Sequence, residues 1–188
     1  MKPMNICYIS NSAAPSKNAS SLQTAKLCEE LSRQGHKVNL ILPQTGELNS
    51  NYFNFYNIKN KFQIIRLKFF KKFPVGFNYY LFSFFSIVAS NFKNQNLFIT
   101  RNFFTSFLLS ILNKKHLFEI HDDILIEGRI VRFLVKSIKI LNFKSVLKVI
   151  TTTNALKKRY ISYGIQKDKI YVLHNASSLK SKFNKHSK

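Results

Sequence analysis

MNICYISNSAAPSKNASSLQTAKLCEELSRQGHKVNLIL, residues 4–42, carries three signals in succession. Residues 4–10 form a short apolar run rich in β-formers, the pattern of a buried strand. After the polar loop Asn11 to Ala19, Ser20 and Gln23 stand at the spacing of a capping box, in which two side chains satisfy N–H groups of a first helical turn. Leu27, Cys28 and Leu31 then recur at helical spacing, which predicts a helix from Ser20 to Gln34. Gly35 occupies the left-handed position that ends helices, and His36 to Leu42 reads as a second strand stopped by Pro43. The opening is β-α-β.

The alternation continues. Beyond a polar stretch at 44–61, strands are expected at 62–67, 96–100, 116–120, 146–150 and 169–173. Helices are expected within 77–93 and at 103–113, 125–142 and 154–162. Strands that are apolar on both faces and alternate with amphipathic helices imply a parallel sheet between helix layers. The expected class is α/β: a Rossmann-like, doubly wound, mainly parallel sheet with helices on both faces. A single domain of residues 1–176 and a basic, frayed tail at 177–188 are the expected organisation.

Composition removes several classes. A hydrophobic fraction of 45%, with 5 Gly and 4 Pro, is too apolar for a disordered or low-complexity chain. Cys7 and Cys28 have no CxxC spacing and no neighbouring His, so they read as reduced core residues rather than a disulfide or a zinc site, which fits a cytoplasmic compartment. The N-terminal apolar run is too short for a signal peptide. The most apolar window, Phe77 to Phe92, falls short of the roughly 20 apolar residues of a membrane span. It also contains Asn78, two tyrosines and three serines, and reads as a buried or interface-facing helix. No glycine stands in the first β-α loop, which excludes both a dinucleotide fingerprint and a P-loop.

Thirty Lys and Arg against 8 Asp and Glu give a net charge of +22. Such a charge suits an anionic membrane surface or nucleic acid. It is equally the mark of a compositional bias, since lysine far outnumbers arginine and Asn, Ile and Phe are abundant.

Chemistry is expected at the carboxyl edge of the sheet, where open α/β folds bind ligands. The strand Phe118-Glu119-Ile120 delivers His121, Asp122 and Asp123 there. His121 suits hydrogen bonding to a sugar or phosphate oxygen, with Asp122 orienting the ring and Asp123 capping the next helix. Arg101-Asn102 and Thr153-Asn154 follow two other strands at the same edge, either as ligand contacts or as a solvated Arg and helix caps. The loop with Ser12, Ser16, Asn18 and Ser20 leads to a helix N-terminus suited to an anion or a hydroxyl-rich ligand; an ordinary surface connection is the alternative. Arg129, Arg132, Lys136 and Lys139 share one helical stripe, which either lies on an anionic membrane or simply covers the sheet.

Three segments in order carry a resemblance: residues 4–43, LFITRNFFTSFLLSILNKKHLFEIHDD, and VLKVITTTNALKKRYISYGIQKDKIYVLHNAS. Together they resemble the N-terminal domain of family 4 glycosyltransferases of the GT-B architecture. The resemblance implies the acceptor-side half of a two-domain enzyme, with the first-loop motif on Ser12 to Ser20 and the histidine near the donor sugar on His121. It places the donor-binding domain beyond Asn175, outside this chain, whether truncated or separately encoded.

The expected function is therefore that of the N-terminal domain of a retaining, hexosyltransferase-like enzyme, inactive alone. Its sugar would pass from a nucleotide-diphosphate sugar to a sugar or lipid-linked acceptor of the cell envelope or a polysaccharide. No cofactor or metal is implied; the nucleotide sugar is a substrate that needs the missing domain. The expected location is cytoplasmic, peripheral on the inner face of the plasma membrane. The alternative is a non-catalytic basic protein on anionic membranes or nucleic acid, and nucleic acid is the less favoured partner.

Overall fold

A computed structural model describes residues 2–44, 51–68, 75–124 and 128–174. Among these residues seven strands form one sheet: β1 (Asn5–Ile9), β2 (Lys37–Gln44), β3 (Gln63–Lys68), β4 (Leu97–Thr100), β5 (His116–Ile120), β6 (Val146–Thr151) and β7 (Ile170–Val172). All neighbours pair parallel in the order β3-β2-β1-β4-β5-β6-β7. The order reverses between β1 and β4, which opens a crevice at their carboxyl ends. Among the described residues six α-helices connect the strands: α1 (Ala19–Arg33), α2 (Tyr52–Phe55), α3 (Val75–Ala89), α4 (Phe103–Ile111), α5 (Arg129–Lys136) and α6 (Asn154–Ser162). The class is α/β and Rossmann-like, in one domain.

Alternation along β1 sorts the helices. Ile6 and Tyr8 pack with Ala25 and Cys28 of α1, whereas Cys7 and Ile9 pack with Phe82 and Ile87 of α3 and Leu109 of α4. Farther along that second face, Phe118, Ile120 and Val149 meet Val135 of α5 and Tyr160 of α6. Both cysteines are free and buried, and burial pushes the Cys7 thiol up to about 12 and raises Cys28 as well.

Several sequence expectations are corrected. The Ser20–Gln23 box does not form: α1 starts one residue earlier behind Asn18, whose side chain makes no cap bond, and the Ser20 carbonyl serves Thr24 and Arg101. Gly35 does end α1, at φ +86° with its N–H on the Ser32 carbonyl at 3.0 Å.

Pro43 does not stop β2, which runs on to Gln44 against β3. Ile41 presents its carbonyl to Ser10, so Pro43, two residues on, faces the same side, past the end of β1 where no acceptor needs its missing N–H. The polar stretch at 44–61 hides the short helix α2, where Asn51 Oδ1 accepts from Phe53 and Asn54 N–H groups and Tyr52 and Tyr56 turn inward. α5 is only eight residues long and ends at Lys136; residues 125–127 and the tail at 177–188 lie outside the described residues. Among the described residues no helix is long and apolar enough to cross a membrane.

Candidate functional site

β4, β5 and the first turn of α1 converge at the crevice. Glu119 is the next-to-last residue of β5, and its position in the middle of the sheet buries the side chain to 7% exposure. A carboxylate in that position needs partners, because desolvating an unpaired charge is costly. Two are supplied by other strands: Arg101 Nε donates to Oε2 at 2.7 Å, and the Tyr8 hydroxyl donates to the same oxygen at 2.9 Å. Arg101 Nη1 also donates to the Ser20 carbonyl at 3.1 Å, tying the end of β4 to the start of α1.

Burial alone would raise the Glu119 carboxyl, but His121, the Arg101 guanidinium and the Tyr8 hydroxyl outweigh it and hold the group below its ordinary value. Burial, reinforced by the Glu119 charge, raises the Tyr8 phenol well above its ordinary value, so it stays a donor. His121 stands just past β5, with Nε2 3.6 Å from Glu119 Oε2, too long for a hydrogen bond but within charge–charge reach.

These groups open on a cavity of about 530 Å³ lined by Ser20, Gln23, Arg101, Glu119, His121, Asp122 and Asp123. A neighbouring cavity of about 190 Å³ shares Gln23, Arg101, Glu119 and His121 with it and is lined also by Ile150, Thr152 and His174 near the ends of β6 and β7. Guanidinium, carboxylate, imidazole and amide groups thus face one space, a set suited to hydroxyl-rich and anionic ligands. Among the described residues no group of three His, Cys, Asp or Glu side chains is placed to hold a metal ion.

The structure brings together only part of the set expected from sequence. His121, Ser20, Arg101 and Asp122 line the cavity. Ser16 is tied down by Tyr56, whose hydroxyl accepts from its N–H at 2.7 Å and donates to its carbonyl at 2.9 Å. Ser12 donates its N–H to Ser10 Oγ, and Asn18 is exposed at the start of α1. Asn102 is 1% exposed, and its Oδ1 caps α4 through the Thr105 N–H at 3.0 Å. Asn154 is the exposed first residue of α6, which Thr153 caps at the Leu156 N–H.

Asp123, expected as a helix cap, instead receives Arg159 Nη1 at 3.0 Å. Of the basic stripe, Arg129, Arg132 and Lys136 are on α5, with Ile130 and Phe133 exposed beside them. Lys136 lies over the Tyr163 ring at 4.6 Å, and Lys139 is beyond the helix at φ +53°.

Tyr8, Glu119 and Gln23 join the site without standing out in the sequence as ligand-facing residues. Glu119 had a signal: an acid inside the apolar strand HLFEI must be paired when strands flank it on both sides.

A family model described as Glycosyltransferase Family 4 matches residues 21–180. The chain belongs to glycosyltransferase family 4. Solved structures of similar fold include Anabaena Alr3699/HepE in complex with UDP and glucose (TM-score 0.63, 12% identity, 93% of this chain and 45% of that chain). The lipopolysaccharide outer core galactosyltransferase WaaB is similar too (TM-score 0.60, 8% identity, 95% of this chain and 47% of that one). So is the UDP-GlcNAc 2-epimerase of Methanocaldococcus jannaschii (TM-score 0.60, 13% identity, 92% of this chain and 46% of that one). A search of the curated proteins finds no match. This family 4 chain spans about half the length of the solved structures it resembles, which accords with one domain of the GT-B architecture.

Proposed function

We propose that this chain is the acceptor-side domain of a retaining glycosyltransferase that moves a sugar from a nucleotide-diphosphate sugar to a cell-envelope or polysaccharide acceptor. The observation that carries the reading is His121, held over the Glu119–Arg101 pair at the mouth of a cavity at the topological switch point. HepE with UDP and glucose, and WaaB as a galactosyltransferase, support the donor class. In such chemistry the departing diphosphate carries most of the charge, so few protein acids and bases are needed.

His121 would hydrogen-bond the donor sugar as charge develops at the anomeric carbon, an interaction stronger in the transition state than in the ground state. Arg101 and Glu119 hold the cavity wall beneath it. A donor-binding domain completes the site, and the 188-residue chain by itself is expected to turn over no nucleotide sugar. Fused to the donor domain of a relative, residues 1–176 should transfer sugar, and His121→Ala should lower turnover about 100-fold. Full turnover by a folded His121→Ala fusion would sink the assignment.

The acceptor is proposed to lie at the inner face of an anionic membrane, approached from the cytoplasm through Arg129, Arg132 and Lys136 of α5. Each cation near the surface contributes about 1 kcal/mol at most. Flotation with anionic vesicles should therefore fall with salt and with Arg129→Gln/Arg132→Gln; equal binding to neutral vesicles would refute this part.

A further inference from the structure

Side chains two residues apart on a strand share a face, and His121, just past β5, stands beside Glu119 in that way, with Nε2 3.6 Å from Oε2. The carboxylates near the ring are unlike one another. Glu119 is 7% exposed, and Arg101 Nε from the end of β4 and the Tyr8 hydroxyl from β1 both donate to its Oε2, at 2.7 and 2.9 Å. It is a fixed acceptor with no hydrogen to give. Asp122, the next residue after the histidine, is exposed and makes neither an ion pair nor a hydrogen bond with the ring among the described residues. Asp123 receives Arg159.

The other edge of the ring is open. His121 is 28% exposed and lines both cavities. Among the described residues its Nδ1 has no hydrogen-bond partner, and it is not buried. A carboxylate opposite Nε2 favours the tautomer with hydrogen on that nitrogen, because the other tautomer sets a lone pair against a negative charge. In the neutral ring Nδ1 is then an acceptor.

We propose that Glu119, rather than Asp122, is the positioning residue of His121: it keeps hydrogen on Nε2 and so presents Nδ1 to the cavity as the acceptor for a hydroxyl of the sugar substrate. The proposal rests on the reading of His121 given above and adds the direction of its hydrogen bond. A hydroxyl that donates to a neutral imidazole gains electron density, which suits positive charge developing at the anomeric carbon; a ring that donated its own N–H would withdraw density. Arg101 acts at one remove, by fixing the carboxylate that fixes the ring.

The first test needs no turnover. Nitrogen NMR of the full chain, labelled on its histidine rings and held where they are neutral, reads which nitrogen carries the hydrogen, and the signal that His121→Asn removes is the one to follow. Wild type is expected to show Nε2–H alone. In Glu119→Gln, which keeps the shape and loses the charge, the Nδ1–H form should rise several-fold, while Asp122→Asn should leave the ratio unchanged. Unfolding curves check that the variants remain folded, and the wild-type spectrum reads the tautomer without any substitution.

The second test uses the fusion of residues 1–176 to a relative's donor domain. Glu119→Gln should lower kcat about tenfold with little change in KM, and should cost nothing further in a His121→Ala background, because residues that act through one another are not additive. Hydrogen on Nδ1 in wild type, a ratio that Glu119→Gln leaves alone or that Asp122→Asn shifts instead, or losses that add in the double variant each overturn the inference. Full turnover by the His121→Ala fusion removes the reading above, while the spectra still decide what Glu119 does to the ring, so the two failures are told apart.

Discussion

Arg101→Leu is expected to destabilise the fold by about 3–5 kcal/mol, the cost of leaving a buried carboxylate without its cation. The Arg101 and Glu119 side chains are 13% and 7% exposed, and their 2.7 Å contact is shared with a single further donor, Tyr8. Without the guanidinium, Glu119 keeps one hydrogen bond and must either remain charged in a poorly solvated place or take up a proton. In a chain of this length the loss corresponds to a fall in Tm of roughly 10 °C.

Tyr8→Phe/Arg101→Leu/Glu119→Leu should recover most of that loss, since replacing all members of a buried polar cluster with apolar groups removes the desolvation cost together with the attraction. Urea unfolding of the three proteins checks this. An Arg101→Leu chain as stable as wild type would mean that the cluster is well solvated and does not organise the crevice.

Stability should also fall by about 3 kcal/mol as pH drops from about 6.5 to 4, through His116. This ring is fully buried; Nδ1–H donates to the Lys114 carbonyl at 2.8 Å, which leaves Nε2 to accept from Ser106 Oγ at 2.8 Å. Burial lowers its pKa to about 4, against the favourable Lys114 carbonyl, and the Lys169 charge lowers it further. The folded pKa is thus depressed below the unfolded value near 6.5. The unfolded chain takes up a proton in that window that the folded chain refuses, so the contribution is complete above about pH 6.5 and is lost as pH falls toward 4.

The upper part of the window, above about pH 5, precedes protonation of most carboxylates and isolates the histidine. Glu119, whose folded pKa is lowered, adds its own loss from the ordinary carboxylate range downward, as pH falls toward that lowered value. Tm measured from pH 7 to 4 should decline across the window in wild type and be flatter in His116→Asn. An equal slope in both would assign the dependence to another group.

Much of this architecture is local and therefore legible in the chain. Residues 4–42 announce β-α-β through apolar period and the left-handed Gly35, and the remaining strands fall within one or two residues of their expected places. The position of His121 follows from that alternation, because a residue just past a buried parallel strand stands at the ligand-bearing edge. Failures cluster where a distant partner overrides a local signal. Pro43 is tolerated because β1 has already ended beside it, and α1 starts at Ala19 although Ser20 offers the better cap. α5 is shorter than its amphipathic period suggested, which removes Lys139 from the basic stripe.

Periodicity and residues close together in the chain suffice for the alternation of strands and helices, the parallel sheet, the family and the edge that bears His121. The surroundings of that histidine come from long-range contacts. Tyr8 lies 111 residues from Glu119 and Arg101 lies 18, and the three meet because strand order and register place them on one face of the sheet. The same holds for α3: its composition announced an apolar helix, but packing against β1 and α4 decided that Phe82 and Ile87 face the core, with Ser83 and Ser86 buried beside them on local carbonyls, and that Tyr80, Phe84 and Val88 face outward.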